Sequence, residues 1–159
     1  MDCVPDGGRF HDLGTYCRNR SETNCSLNTI SPLYIPARIT VNQIRVRVTT
    51  ALGATGDVGV YDANGNLVLN GGAGSLTAAA GLKTIPPIQA NRTLNPGQYY
   101  VAITWNSTTG VVAGANLGIA GSIRRSGVIN TGGGTVLPAT ISLASITETQ
   151  YIYFVSLNQ

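Results

Sequence analysis

Charge is scarce in this chain: only 11% of its 159 residues are Asp, Glu, Lys or Arg, with one lysine, two glutamates and one histidine. General acid-base catalysis draws on those side chains. His11, Glu22, Glu148 and five aspartates leave so few candidates that an enzyme is not expected. Ten basic groups against seven acidic ones give a net charge of +3, and nine of the ten are Arg. They are not bunched into the run that grips a phosphate backbone, so nucleic acid is not an expected partner. Long apolar runs are missing as well. A membrane helix needs ~20 apolar residues, and the nearest stretch, 110–121, is short and interrupted by Asn116. No membrane association is expected. The opening Met1-Asp2-Cys3-Val4 lacks the basic start and apolar run of a secretory signal. Met1 is therefore read as a native start and synthesis as cytosolic. On that reading the sequons at Asn19, Asn24, Asn91 and Asn106 are chance triplets in an Asn/Ser/Thr-rich chain.

What is present is enough for a core. Hydrophobic residues make up 43% of the chain, and its length suits one domain, for which ~100 to 150 residues is common. Twenty glycines and seven prolines, with few Lys and Glu to favour helix, point to short strands and tight turns. An all-β fold is the expectation. Residues 1–36 hold all three cysteines, the only His and four of the seven acids, and they read as an extended, irregular N-terminal arm. Pro32 and Pro36 mark its end, so the domain is expected to span 37–159.

Within that span the period of two recurs. Ile44, Val46 and Val48 alternate with Arg45 and Arg47, a half-buried strand with two arginines outward. Residues 57–61 form the next strand, and Asn64-Gly65 turns it into Leu67-Val68-Leu69, because both turn residues tolerate positive φ. A strand at 82–85 is confined to an edge by Pro86-Pro87. Asn95-Pro96-Gly97 then leads into 98–105, where Tyr99, Val101, Ile103 and Trp105 share the face expected to meet the core. Weaker segments follow at 116–125 and 139–146, and 151–157 reads as a terminal strand. Seven or eight strands at this spacing predict a two-sheet antiparallel β-sandwich.

The stretch 39–103 resembles a module of bacteriophage structural proteins, found in capsid decoration proteins and in tail-fibre or baseplate ends with jelly-roll-like sandwiches. The residues that carry the resemblance are Gly59-Val60-Tyr61-Asp62-Ala63-Asn64-Gly65-Asn66-Leu67 and Leu94-Asn95-Pro96-Gly97-Gln98-Tyr99-Tyr100-Val101-Ala102. The resemblance implies a non-enzymatic virion protein. Its expected role is a decoration or cement protein on the capsid exterior, made in the host cytoplasm, bound to the major capsid protein and forming a homotrimer. The alternative it leaves is a tail-fibre or baseplate receptor-binding module, or a carbohydrate-binding one.

Candidate sites are few. Cys3, His11, Cys17 and Cys25 have zinc-ligand chemistry, but none of the close cysteine pairs of structural zinc sites occurs, so no metal is expected. A Cys17–Cys25 disulfide closing a short loop is the stronger reading, with free or intermolecularly paired thiols as the other. Asp62, Asn64 and Asn66 occupy alternate positions as in a calcium loop. The Gly and Glu that such a loop requires are Leu67 and Ala73 here, so a turn is favoured and no cofactor is expected. Arg45, Arg47, Arg124 and Arg125 are candidates for meeting acidic groups on a partner, and solvated outer faces explain them almost as well. For the alternative function, Trp105, Tyr99 and Tyr100 would form a glycan-stacking face, against the commoner fate of such rings, which is burial.

Overall fold

The computed structural model describes residues 27–51, 55–77, 79–105, 111–116, 126–130, 135–148 and 151–159. Its strands, in chain order, are β1 (Leu27–Ile35), β2 (Ile39–Val41), β3 (Gln43–Thr50), β4 (Gly56–Asp62), β5 (Leu67–Asn70), β6 (Gly81–Ile85) and β7 (Arg92–Leu94). There follow β8 (Gly97–Trp105), β9 (Val111–Val112), β10 (Gly114–Asn116), β11 (Gly127–Asn130), β12 (Thr147–Glu148), β13 (Tyr151–Tyr153) and β14 (Val155–Asn158). A single 3₁₀ turn, Leu143–Ser145, is the only helical element among the described residues, so the fold is all-β. Every strand pair described is antiparallel.

Six strands form the largest sheet, in the order β12-β11-β1-β8-β4-β5. A second sheet runs β14-β3-β6, with β9 also paired to β3, and β2-β7 and β10-β13 are two-stranded ribbons. The main core lies between the two larger sheets. Ile44, Val46 and Val48 of β3 and Ile85 of β6 cluster there with Val58 and Val60 of β4, Leu69 of β5 and Val101, Ile103 and Trp105 of β8. Each buried side chain of this kind contributes about 1.5 to 3 kcal/mol of apolar burial.

The opposite face of the large sheet is buried too. Ile30, Tyr61, Tyr100, Ala102 and Ile129 pack there against Leu137 and Ile141, with Leu67, Leu143 and Ile146 at the margin. The cover on this side is the irregular segment 135–146, where the sequence suggests a weak strand. Backbone bonds fix it: Leu67 N–H donates to Ala139 O, and Ile141 N–H donates to Gly65 O, both within hydrogen-bond range. The close approach needs Gly65, whose φ is +82° and where a Cβ would collide with the Ile141 carbonyl. This second cover makes the fold more layered than a two-sheet sandwich.

The boundary placed at residue 36 moves. Leu27–Ile35 is not arm but the strand between β11 and β8 in the large sheet. Its hydropathy conceals it because Asn28, Thr29 and Ser31 are buried alongside Ile30. Buried polar groups need partners: Thr29 Oγ1 donates to Ile103 O at 3.2 Å, and Ser31 Oγ accepts from Tyr153 N–H at 3.0 Å. Among the described residues, β11 pairs with β1 as far as Ile30, and Pro32 lies beyond that pairing. The terminal strand is also divided. Residues 151–153 pair with β10 and 155–158 pair with β3, with the break at Phe154.

Candidate functional site: the outer face of the β14-β3-β6 sheet

The register of β3 with its neighbours defines two faces. Inward are Ile44, opposite Ile85 and Leu157, and Val46, opposite Lys83 and Val155. Outward are Arg45, opposite Thr84 and Ser156, and Arg47, opposite Leu82. The two arginines thus occupy the outer face that their alternation predicts. Arg45 is held by neutral groups. Its Nη2 donates to Gln43 Oε1 at 3.1 Å. The Asn158 amide, with its oxygen toward the guanidinium, accepts from Nη1 at 3.1 Å and from Nε at 3.2 Å. Neither partner neutralises the charge.

Two large apolar side chains are exposed in the neighbourhood of Arg47, one directly opposite it on β6 and one across Ala113. Leu82 is 61% exposed on β6, and Phe154 is 56% exposed at the point where the chain passes from β13 to β14. Tyr153 and Val155, on either side of Phe154, pack against the main core, while Phe154 itself is left exposed. Its N–H donates to Ala113 O at 2.9 Å, while Ala113 N–H donates to Arg47 O at 2.8 Å, so Ala113 lies between the two backbones. Sequence reasoning misses both apolar residues, since nothing in the local pattern marks an exposed Leu or Phe within an alternating strand.

Of the described acidic side chains, Asp57 and Asp62 are committed to the fold, and Glu148 is exposed on β12. Asp57 is fully buried, and it accepts from Gly72 N–H (2.8 Å), Ser75 Oγ–H (3.5 Å), Asn70 Nδ2–H (2.9 Å) and Leu137 N–H (3.2 Å). It ties β4 to the loop after β5 and to the second cover. Tyr61, buried on the same side, donates its hydroxyl to Pro138 O at 2.7 Å. Burial first, and the nearby Asp57 charge second, push the Tyr61 hydroxyl well above the ordinary tyrosine range.

Asp62 closes the β4–β5 hairpin. Its Oδ1 accepts from the backbone N–H groups of Asn64 and Asn66, each at 2.9 Å, and Asn66 Nδ2 reaches both carboxylate oxygens. The calcium-like spacing is therefore an Asx-type turn. Desolvation raises the Asp62 pKa, but hydrogen bonds from Asn66, Asn64 and Gly65 outweigh it, and the net direction is downward. Among the described residues no group of three His, Cys, Asp or Glu side chains could hold a metal.

The aromatic face of the alternative reading does not assemble. Trp105 is 7% exposed in the main core, not at a solvent-facing strand end. Tyr100 is buried on the opposite side of the sheet, among the second cluster. Tyr99 is half-buried, and its hydroxyl donates to Asn95 O at 3.1 Å. Neighbours in a strand face opposite ways, so Tyr99 and Tyr100 cannot share a platform, and Trp105 is spent on packing. Cys3, His11, Cys17, Cys25, Arg124 and Arg125 lie outside the described residues.

No family model, curated protein or solved structure matches the chain. Among the described residues, no helix is long and apolar enough to cross a membrane.

Proposed function

We propose that this chain is a non-enzymatic structural protein that acts by binding, as a decoration or cement protein on the capsid exterior of a tailed phage. The observation that carries the reading is the contrast in how polar groups are used. Asp57 and Asp62 are consumed by the fold, whereas Arg45, Arg47 and Leu82 stand on the outer face of the β14-β3-β6 sheet, with Phe154 exposed just before β14. The resemblance of residues 59–67 and 94–102 to phage sandwich modules supports it, since those residues build the β4–β5 hairpin and the entry into β8. A jelly-roll connectivity and a homotrimer belong to this proposal.

The mechanism is linkage. A protein that binds assembled capsid subunits but not separated ones stabilises the assembly by RT ln(1 + [L]/Kd), about 2.7 kcal/mol per site at a hundredfold excess over Kd. No bond is made or broken, so the chain needs no acid-base pair. Co-sedimentation with undecorated capsids, followed by imaging, tests the reading. Saturable binding at regular lattice positions is expected, together with capsids that withstand a higher temperature. Binding to host cells and not to capsids would overturn it in favour of a tail-fibre or baseplate receptor-binding module.

A further inference from the structure

We infer that the outer face of the β14-β3-β6 sheet is a docking surface for an acidic protein segment, one that presents carboxylates beside an apolar side chain. The inference rests on the binding role proposed above and names the partner chemistry of that site.

Charge complementarity carries it. Arg45 and Arg47 project from one face of β3, and none of the described Asp or Glu side chains shares that face: Asp57 is buried, Asp62 closes the β4–β5 turn, and Glu148 belongs to β12 of the other sheet. Arg45 is oriented in advance by Gln43 and Asn158, which take three of the N–H bonds of its five-donor fork. The remaining donors and the full charge are left for a ligand, and a fork fixed before binding loses less entropy on engaging a carboxylate.

The neighbouring side chains decide between kinds of polyanion. A nucleic-acid surface gains affinity by neutralising several phosphates along a track, whereas this face carries two cations, with the exposed Leu82 opposite Arg47 and the exposed Phe154 just before β14, bonded through Ala113 to the Arg47 backbone. Aromatic residues and Arg together are the composition of protein-protein interface centres, where apolar neighbours exclude water from the charged contact. Strand addition at the edge of β6 is the less suitable mode. Lys83 lies on the inward row of that edge strand, opposite Val46, and Pro86 follows the strand directly, both of which discourage further pairing.

The test uses the full chain and a random copolymer of glutamate and tyrosine as the probe, with binding followed by NMR. The expected result is shifts centred on Arg45, Arg47, Leu82 and Phe154, and at least tenfold weaker binding in the Arg45→Gln/Arg47→Gln variant. Phe154→Ser should weaken binding several-fold at unchanged charge. Arg38→Gln/Arg92→Gln removes the same charge from exposed sites on and beside the β2-β7 ribbon and should change binding less than twofold. Equal losses in the two double variants, shifts located elsewhere, or duplex DNA of matched charge binding as tightly as the copolymer would each overturn the inference. Capsid sedimentation separates the two levels. Copolymer binding at this face without capsid binding sinks the cement role and keeps the face; capsid binding with a copolymer indifferent to Arg45 and Arg47 does the reverse.

Discussion

The large sheet is covered on both sides, and the two covers are built by different means. On one side β14-β3-β6 supplies Ile44, Val46 and Val48 in regular alternation, so every second residue is released to the exterior. On the other, residues 135–146 have no regular pairing and are fastened by Asp57, the Tyr61 hydroxyl and backbone bonds at Gly65 and Leu67. The difference bears on function. A cover that is a strand has a second face at no structural cost, and that is where Arg45, Arg47 and Leu82 are found, with Phe154 exposed beside it. A cover that is a loop must spend its polar groups on staying in place.

The largest effect should come from removing what both covers rest on. Deleting residues 1–35 takes away β1 and should abolish cooperative unfolding, whereas deleting 1–26 leaves every described strand and should preserve it, as a thermal melt by circular dichroism would show. Next comes the fastening of the irregular cover. Asp57→Ala leaves four buried or half-buried donors without their acceptor and should cost about 3 kcal/mol or more, with hydrogen exchange accelerating at Leu137 and Gly72 before β3. Ile44→Ala, in the regular cover, should cost a similar ~2 to 5 kcal/mol with the opposite pattern of exchange. Similar exchange patterns in both variants would break the distinction between the covers.

Tyr61→Phe is milder, about 1 kcal/mol for one hydrogen bond, and it carries a pH signature. Because the folded-state pKa is raised, the Tyr61 contribution is complete below the ordinary tyrosine pKa of about 10 and is lost as pH climbs beyond it. The wild type should therefore lose stability in alkali more steeply than Tyr61→Phe. Asp62 has the opposite sign: its pKa is lowered, so its contribution holds above the usual carboxylate range and disappears as pH falls through it. Asp62→Ala should flatten the acid limb slightly, since the group is near the surface. Smallest of all, Arg47→Gln should change stability by less than about 0.5 kcal/mol, because an outer-face residue of the regular cover has no packing role.

The elements legible in the sequence are those where alternation and turn chemistry agree. Ile44 to Val48, the edge strand before Pro86 and the strand after Gly97 appear as read, and the hairpin forms at Asn64-Gly65 although only Gly65 takes a positive φ and the pairing is bulged. Alternation fails where both faces are buried. In β8 Tyr100, Ala102 and Thr104 are as enclosed as Val101 and Ile103, and β1 encloses Asn28, Thr29 and Ser31, so polarity no longer reports exposure. The terminal strand reads as one because a change of partner sheet at Phe154 leaves no mark in composition. The same logic divides the candidate site. Arg45 and Arg47 stand out as charges within an apolar period, while Leu82 and Phe154 look like core residues and Trp105 looks like a strand end.

The central proposal is that this chain binds a capsid and does so through the outer face of the β14-β3-β6 sheet. Co-sedimentation of the wild type and of Arg45→Gln/Arg47→Gln with undecorated capsids, after confirming equal melting temperatures, tests it most directly. The account predicts saturable wild-type binding at lattice positions that the double variant loses by at least tenfold. Undiminished binding of the double variant, or wild-type chain left in the supernatant, would contradict it.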